Sequence, residues 1–185
     1  MTRFSLDLSK TSNKILGLDI STSCTGYAIL DVNLGLCLEV GFFQLDKFDN
    51  FFDKCDSFRR DLCELRSEHK TITHIFIEEN LQAFRPGMSS AKTINTLARF
   101  NGAASLISYE VFNTQPAFLN AISARSALGI KLDKKSDIPT KQQIFEFVRP
   151  QIVIDWPHTK TGNLKTSCYD MSDAYVLARA GWLKR

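Results

Sequence analysis

The chain has 185 residues, of which 44% are hydrophobic, so it can bury one substantial core and its length calls for no second domain. Its apolar runs are broken by charged residues well short of the roughly 20 residues that span a bilayer. Residues 1–13 form a polar leader without the apolar core of a signal peptide. These features argue against a membrane-spanning or secreted protein and predict a single intracellular, cytoplasmic domain over residues 1–185.

The cysteines and histidines show no metal-binding spacing. The five cysteines form no CxxC pair and are odd in number, which argues against both a zinc site and a complete disulfide framework. The three histidines, His69, His74 and His158, stand in no HExxH or HxH arrangement. We therefore expect reduced, mostly buried thiols and histidines at the surface or at strand ends.

Charge is distributed unevenly along the sequence. The net charge is +3, but residues 1–83 carry 9 Lys+Arg against 13 Asp+Glu, whereas residues 84–185 carry 14 against 7 and are therefore +7. This asymmetry fits a surface that binds a polyanion. An ordinary solvated surface rich in lysine accounts for it equally well.

The first half of the chain has the pattern of a β-sheet covered by a helix. Residues 14–20 predict a buried strand, 26–30 its hairpin partner across a Ser/Thr-rich turn, and 36–43 a third strand. Apolar residues recur at helical spacing over 48–68, which predicts an amphipathic helix closing over the sheet. Another strand, 73–78, ends in Glu78.

The second half is predicted to be mostly helical. A helix over 89–112 is rich in small residues, which permit close packing against the core or against a second subunit. A basic turn, residues 131–139, precedes a helix for which Thr140 is a suitable N-cap. The elements predicted in this half are one strand, 111–114, and four helices, 89–112, 117–128, 140–148 and 169–183.

Four acidic residues occupy positions at which their side chains can converge. Asp19 ends the first buried strand, Glu78 ends a later strand, and Asp170 and Asp173 share one face of the last helix. An ionised Asp in a buried strand needs a charged partner, because its desolvation is costly. Carboxylate oxygens prefer Mg²⁺ or Mn²⁺, and two such ions about 4 Å apart promote phosphodiester hydrolysis.

Each carboxylate also has an ordinary structural explanation. Asp170 and Asp173 can interact favourably with the dipole at the amino end of a helix. Glu78 can be an exposed strand end, and Asp19 can accept hydrogen bonds from the turn that follows it. The combination of all four, rather than any one of them, favours a metal site.

These segments resemble the RuvC-type Holliday junction resolvases of the RNase H-like superfamily. Residues 15–29, ILGLDISTSCTGYAI, are similar to the first strand and hairpin of that family, and IFIE at 75–78 to its second acidic strand. LARFNG at 97–102 corresponds to a Gly-punctuated helix, and LGI at 128–130 with TKQQI at 140–144 to a basic segment. DMSDAYVLA at 170–178 matches the closing acidic helix.

The resemblance implies a fold and a mechanism. We expect an α/β RNase H-like fold with a mixed sheet of about five strands, the first three antiparallel, flanked by helices on both faces. The family's activity implies a DNA endonuclease that resolves four-way junctions by paired symmetric nicks leaving 5′-phosphates. Two Mg²⁺ ions, with Mn²⁺ as a substitute, would be bound by Asp19, Glu78, Asp170 and Asp173, and Lys141 matches the family's catalytic-site lysine.

DNA contacts and a dimer follow from the same resemblance. Phe84 corresponds to the aromatic residue that family members insert at the junction centre, and Arg125 lies near a second basic position of the family. A nearly two-fold symmetric junction calls for a homodimer, for which the helix 89–112 is the candidate interface. Further candidates for phosphate contacts are Arg85, Lys92, Arg99, Lys131, Lys134 and Lys135.

Three other functions remain open from the sequence. The four carboxylates would equally serve an RNase H-fold nuclease that cuts RNA/DNA hybrids, flaps or other branched DNA. Residues 17–26 also resemble the phosphate-binding hairpin of sugar-kinase or actin-like modules, but those proteins need two lobes and a second glycine-rich loop, which this chain lacks. An inactive DNA-binding relative is the third alternative, against which the presence of all four acidic residues argues.

Overall fold

A computed structural model of the chain describes residues 2–5, 12–79 and 91–184. It contains six strands, which are β1 (Thr2–Ser5), β2 (Lys14–Asp19), β3 (Cys24–Asp31), β4 (Cys37–Gln44), β5 (Ile72–Glu78) and β6 (Ala117–Leu119). It also contains five α-helices, which are α1 (Phe51–Glu68), α2 (Ala91–Phe112), α3 (Ala121–Ala127), α4 (Thr140–Val148) and α5 (Ser167–Leu183). Within these ranges every helix is too short or too polar to cross a membrane.

The strands form one mixed sheet in the order β1-β4-β3-β2-β5-β6. Strands β2, β3 and β4 are antiparallel neighbours, whereas β5 pairs in parallel with β2, and β6 in parallel with β5. The predicted mixed sheet with its first three antiparallel strands is therefore confirmed. Strand β1 adds a further antiparallel strand beside β4 and lies within the segment that the sequence analysis assigned to a polar leader.

Alternation along β2 directs side chains to two separate cores. Leu16 and Leu18 pack in a core with residues of α1 and α2, whereas Ile15 belongs to a second core built with α4 and α5. Helices thus cover both faces of the sheet, as predicted. Because β2 is buried on both faces, it reads as an almost continuous apolar run in the sequence.

The predicted strand at 111–114 is wrong. Val111 and Phe112 form the last turn of α2, where both are buried at helical spacing from Ala104 and Ile107. The helix ends at Asn113, which has a φ of 50°, a conformation that Asn tolerates better than most residues.

The remaining strand lies later in the chain than expected. Residues 117–119, predicted as the start of a helix, form the short strand β6, and helix α3 starts at Ala121 behind its N-cap Asn120. Thr140 is the first helical residue of α4, and the N-cap position belongs to Pro139, so the predicted side-chain cap is not made.

Candidate active site

Two glycines bring helix α5 directly onto the strand that carries Asp19. A Cβ atom on Gly17 would lie 2.7 Å from the Ala178 nitrogen, and one on Gly26 would overlap the carbonyl of Asp170. Gly26 is the β3 residue paired with Asp19 in the sheet. Because side chains alternate along a strand, Asp19 faces the same side as Gly17 and Ile15, toward α5. The first turn of α5 therefore rests beside Asp19.

Glu78 reaches the same end of the sheet from the neighbouring parallel strand. Leu18 is paired with Ile77, so Asp19 and Glu78 follow at the carboxyl ends of β2 and β5. The Asn101 side-chain amide of α2 donates a 3.2 Å hydrogen bond to the Glu78 carbonyl and helps fix this strand end. The carboxyl ends of parallel strands are the usual position of sites in α/β sheets.

The electrostatics show that the four predicted carboxylates lie close together. Burial raises the pKa of Asp19 well above its ordinary value, and the charges of Asp173, Glu78 and Asp170 raise it further. Burial also raises the pKa of Asp173 to about 6, assisted by Glu78 and Asp170. The pKa of Glu78 is raised by burial as well. Burial is the largest cause for all three residues, so their ionised carboxylates are poorly solvated here and an added cation would stabilise them.

Two cationic side chains approach this group. The ammonium nitrogen of Lys141 lies 3.1 Å from Oδ1 of Asp170. Burial alone would lower the pKa of Lys141. The charge of Asp170, and the hydrogen bond that Lys141 donates to it, raise this pKa above its ordinary value. Arg125 lines a small cleft with Glu78 and Asp173 and holds their pKa values down against the effect of burial. Arg125, matched only loosely to the family, thus belongs to the carboxylate cluster.

The cluster has the donor chemistry of a site for hard divalent cations. Its four carboxylates offer only oxygen ligands, and the raised pKa values of Asp19 and Asp173 mark a place where added positive charge is favourable. The carboxylates are more widely spaced than a compact three-ligand group, since no three of them bring oxygens within 4.8 Å of one another. The side chains present therefore fit Mg²⁺ in composition.

Cys24, which the sequence analysis did not assign to the site, lies at its border. It starts β3, two residues before Gly26. Burial raises the pKa of its thiol, and the neighbouring Asp170 carboxylate raises it further. The sequence signal for its closeness to the site is its position on the strand that pairs with β2, which carries Asp19.

A second group of ionisable residues was also missed. Within the described ranges, the three-ligand group with atoms inside 4.8 Å is Glu39, Glu68 and His69. Glu39 is buried, its Oε1 accepts a 2.7 Å hydrogen bond from the Tyr27 hydroxyl, and its Oε2 lies 2.8 Å from Nε2 of His69. His69 is thus no surface residue, contrary to the expectation for the histidines. Because Tyr27 packs in the core with α1, this group lies on the face of the sheet opposite Asp19.

The predicted DNA-binding residues are spread along the second half of the chain. Phe84 and Arg85 lie outside the described residues. Arg99 of α2 is exposed, with its guanidinium 5.4 Å from the centre of the Phe51 ring. The other predicted phosphate contacts have exposed side chains and are Lys92 on α2 and, between α3 and α4, Lys131, Lys134 and Lys135.

Comparison with known proteins bears on the fold. RuvC of T. thermophilus in complex with Holliday junction substrate matches with a TM-score of 0.63 and 12% identity over 91% of this chain and 91% of that chain. A further Thermus thermophilus RuvC structure matches with a TM-score of 0.59 and 13% identity over 90% of this chain and 92% of that chain. The yeast mitochondrial Holliday junction resolvase Ydc2 matches with a TM-score of 0.50 and 16% identity over 94% of this chain and 78% of that chain.

Sequence comparisons found no relative, since no protein-family model matches the chain and no curated protein matches its sequence. The two RuvC structures nevertheless align with 91% and 90% of this chain. The chain therefore has the RNase H-like fold of the RuvC-type resolvases, as the sequence resemblance predicted.

Proposed function

We propose that this protein is a metal-dependent endonuclease that resolves four-way DNA junctions by paired symmetric nicks. The observation that carries the proposal is the convergence of Asp19, Glu78, Asp170 and Asp173 with Lys141 at the carboxyl ends of β2 and β5. The likeness of the fold to a RuvC bound to Holliday junction substrate supports the choice of DNA substrate.

The four carboxylates would hold the metal, with two Mg²⁺ ions as the proposed complement and Mn²⁺ as a substitute. Bound Mg²⁺ would activate water for in-line attack and neutralise charge on the scissile phosphate, leaving a 5′-phosphate. Lys141 extends from the first turn of α4 and stabilises the additional negative charge that develops on the phosphate. Arg125 serves the same purpose from α3, beside Glu78 and Asp173.

A homodimer through α2 is part of the proposal. The outward face of this helix carries small and apolar residues at helical spacing, including Ala98 and Gly102. Apart from the adjacent residues and the backbone of α2 itself, no described atom lies within 4 Å of where a Gly102 Cβ would be. Leu106 and Tyr109, on the same helix, are 57% and 46% exposed. Such a face lets a second helix approach closely and bury the exposed side chains, and two-fold symmetry matches a junction.

The proposal is tested by presenting the protein with a synthetic four-way junction, a linear duplex, a flap and an RNA/DNA hybrid, each with Mg²⁺ or with EDTA. Paired symmetric nicks confined to the junction and dependent on Mg²⁺ are expected. Preference for the flap or the hybrid would contradict junction resolution and assign the metal site to another nuclease activity.

The role of the carboxylates is tested separately with Asp19→Asn. This variant is expected to bind the junction nearly as well as the wild type and to lose cleavage, because only the metal-dependent step needs the carboxylate charge. Asp137→Asn, in an exposed loop before α4, is the matched control and keeps full activity. Equal cleavage by both variants would refute the metal assignment.

A further inference from the structure

A pocket of about 420 Å³, called here the α4 pocket, lies between α4 and residues 152–169. Its floor is apolar and is formed by Phe145, Ile152 and Trp156, each of which is less than a tenth exposed. Its rim consists mainly of polar and charged side chains. This volume, and the division into an apolar floor and a polar rim, are typical of sites that bind small molecules or single chemical groups.

The α4 pocket continues the carboxylate cluster along α4. Lys141 and Asp170 are in contact at 3.1 Å, and their chain neighbours Gln142 and Tyr169 both line the pocket. At a rise of about 1.5 Å per residue, the part of α4 that lines the pocket is about 10 Å long. A nucleotide next to one held at the cluster is therefore within reach of the pocket. The residues on this stretch share one face of the helix and are Gln142, Phe145, Glu146 and Arg149.

Aromatic rings make up much of the apolar part of the pocket. The centre of the Phe145 ring lies 5.0 Å from that of Trp156 and 5.9 Å from that of Tyr169, at interplanar angles of 82° and 87°. Such edge-to-face contacts hold the three rings in fixed positions. His158 adds a further ring at the exposed rim. Proteins that bind single-stranded nucleic acids use aromatic side chains of this kind to contact unstacked bases.

The wall opposite α4 is held in place by hydrogen bonds. His158 and Leu164, which both line the pocket, form an antiparallel β-bridge. The Lys165 amide donates a 3.0 Å hydrogen bond to the Pro157 carbonyl, and the Cys168 thiol donates to the same carbonyl at 3.4 Å. The pocket is therefore formed without a ligand, which lowers the entropic cost of binding one.

The rim offers both hydrogen-bond donors and acceptors. Within the described ranges, the side chains of Gln142, Asp155 and His158 and the hydroxyl of Tyr169 make no hydrogen bond to the protein. The Gln142 amide can donate and accept, whereas the Asp155 carboxylate accepts. The edge of a nucleobase presents the same mixture of groups. A phosphate group presents acceptors and would leave Asp155 without a donor.

The charges of the rim also favour a neutral ligand. The pocket is lined by two carboxylates, Glu146 and Asp155, and by one guanidinium, Arg149, which lies 3.9 Å from Glu146. This surplus of negative charge disfavours a phosphate and leaves an uncharged, planar, hydrogen-bonding group as the suitable ligand. Within a DNA strand, that group is the base.

We propose that the α4 pocket receives one unstacked nucleobase of the DNA strand that is cut, close to the scissile phosphate. The inference rests on the proposed nuclease function and identifies a position at which the protein reads its substrate. Tyr169 and His158 would contact the base ring, and Gln142 would form hydrogen bonds with its edge. Unstacking costs least where base pairing is already interrupted, so a branch point is a favourable place for it.

The first test measures binding to junctions that carry one abasic residue, placed in turn at each position around the scissile bond. Binding is measured in the Asp19→Asn background, which prevents cleavage. At one position the missing base is expected to weaken binding by about 5-fold to 150-fold, the range of one base–aromatic contact. Tyr169→Leu is expected to bind this abasic junction as tightly as it binds the intact junction.

His158→Ala and Val153→Ala form a matched pair of variants in the same background. His158 is exposed and lines the pocket, whereas Val153 is 84% exposed in the same segment and does not line it. Both variants are expected to keep the melting temperature of the parent. His158→Ala is expected to reduce the effect of the abasic residue by about 2-fold to 10-fold, and Val153→Ala to leave it unchanged. An equal effect in the parent, Tyr169→Leu and His158→Ala at every position would overturn the inference.

Gln142→Ala tests recognition of the base edge. Each of the four bases is placed in turn, opposite its complement, at the position that the abasic series identifies. The parent is expected to bind the most favoured base about 5-fold to 150-fold more tightly than the least favoured one, the range of an amide bonded to a base edge. Gln142→Ala is expected to lose most of this preference. A preference of the same size in both proteins would contradict base recognition by the α4 pocket.

Free mononucleotides are expected to bind weakly in equilibrium dialysis, because Glu146 and Asp155 repel their phosphate groups. A mononucleotide that binds as tightly as the junction would assign the pocket to a free nucleotide and overturn the inference. If no abasic position distinguishes the proteins but the wild type still cuts junctions, only this inference fails. If the wild type neither binds nor cuts branched DNA, the proposed function fails with it.

Discussion

Replacing Asp173 by Asn is expected to stabilise the metal-free protein while abolishing cleavage. Asp173 is 8% exposed, and its pKa is raised from 3.8 to about 6, chiefly by burial. A shift of about two units at roughly 1.4 kcal/mol per unit amounts to about 3 kcal/mol. At pH values above the raised pKa, Asp173 is ionised in the folded state. The folded state is then destabilised by this energy, because the charge is buried. Asn has nearly the same shape without the charge.

The sign of the pH dependence follows from the two protonation equilibria. Between about pH 4 and pH 6 the folded state holds the Asp173 proton more tightly than the unfolded state, so stability falls as pH rises through this window. The advantage of Asp173→Asn is therefore expected to be small near pH 4 and to reach up to about 3 kcal/mol above pH 6. For a chain of this size that gain corresponds to a rise in melting temperature of roughly 6–12 °C.

The assay is thermal and urea unfolding in EDTA at several pH values, with Asp137→Asn as the control for loss of an exposed carboxylate. Adding Mg²⁺ is expected to stabilise the wild type more than Asp173→Asn, since the ion would relieve the same repulsion. A variant less stable than the wild type at about pH 7.5, or a gain that does not change with pH, would refute the electrostatic reasoning.

Three further outcomes are expected. Lys141→Gln loses the contact with Asp170 and should slow single-turnover cleavage by about 100-fold with little change in junction affinity; unchanged cleavage would contradict its role. Gly26→Ala forces a Cβ onto α5 and should cost about 1–3 kcal/mol in urea unfolding, whereas Gly102→Ala, in open space, should not destabilise the monomer. Leu106→Asp should yield folded monomers in sedimentation velocity that no longer make paired nicks; an unchanged dimer would exclude this face.

The main elements could be predicted because their signals are local. Strand β2 is an apolar run with one carboxylate at its end, and α1 repeats its apolar residues at helical spacing. The positions of the acidic residues at two strand ends and in the first two turns of α5 were equally visible in the sequence. Their closeness follows from parallel pairing of β2 with β5 and from the contact of α5 with Gly17 and Gly26.

The errors concern features that depend on distant contacts. Strand β6 has three residues and exists through its pairing with β5, so its own sequence carries little signal. Conversely, the β-branched Val111 continues α2 because its side chain is buried there. The position of Arg125 beside Glu78, and the bond between Glu39 and His69, join residues 30 or more positions apart. Sequence spacing alone does not indicate such pairs.

Strand β1 has a consequence for how copies of this protein behave toward one another. It pairs with β4, whose residues 38–43 are buried on both faces of the sheet. Without β1, the outer side of β4 would present a row of unsatisfied N–H and C=O groups on a strongly apolar strand, a template onto which another chain can add. Pairing with β1 is therefore expected to limit aggregation, and a tag or truncation that displaces β1 is expected to lower solubility without any benefit to the carboxyl ends of β2 and β5.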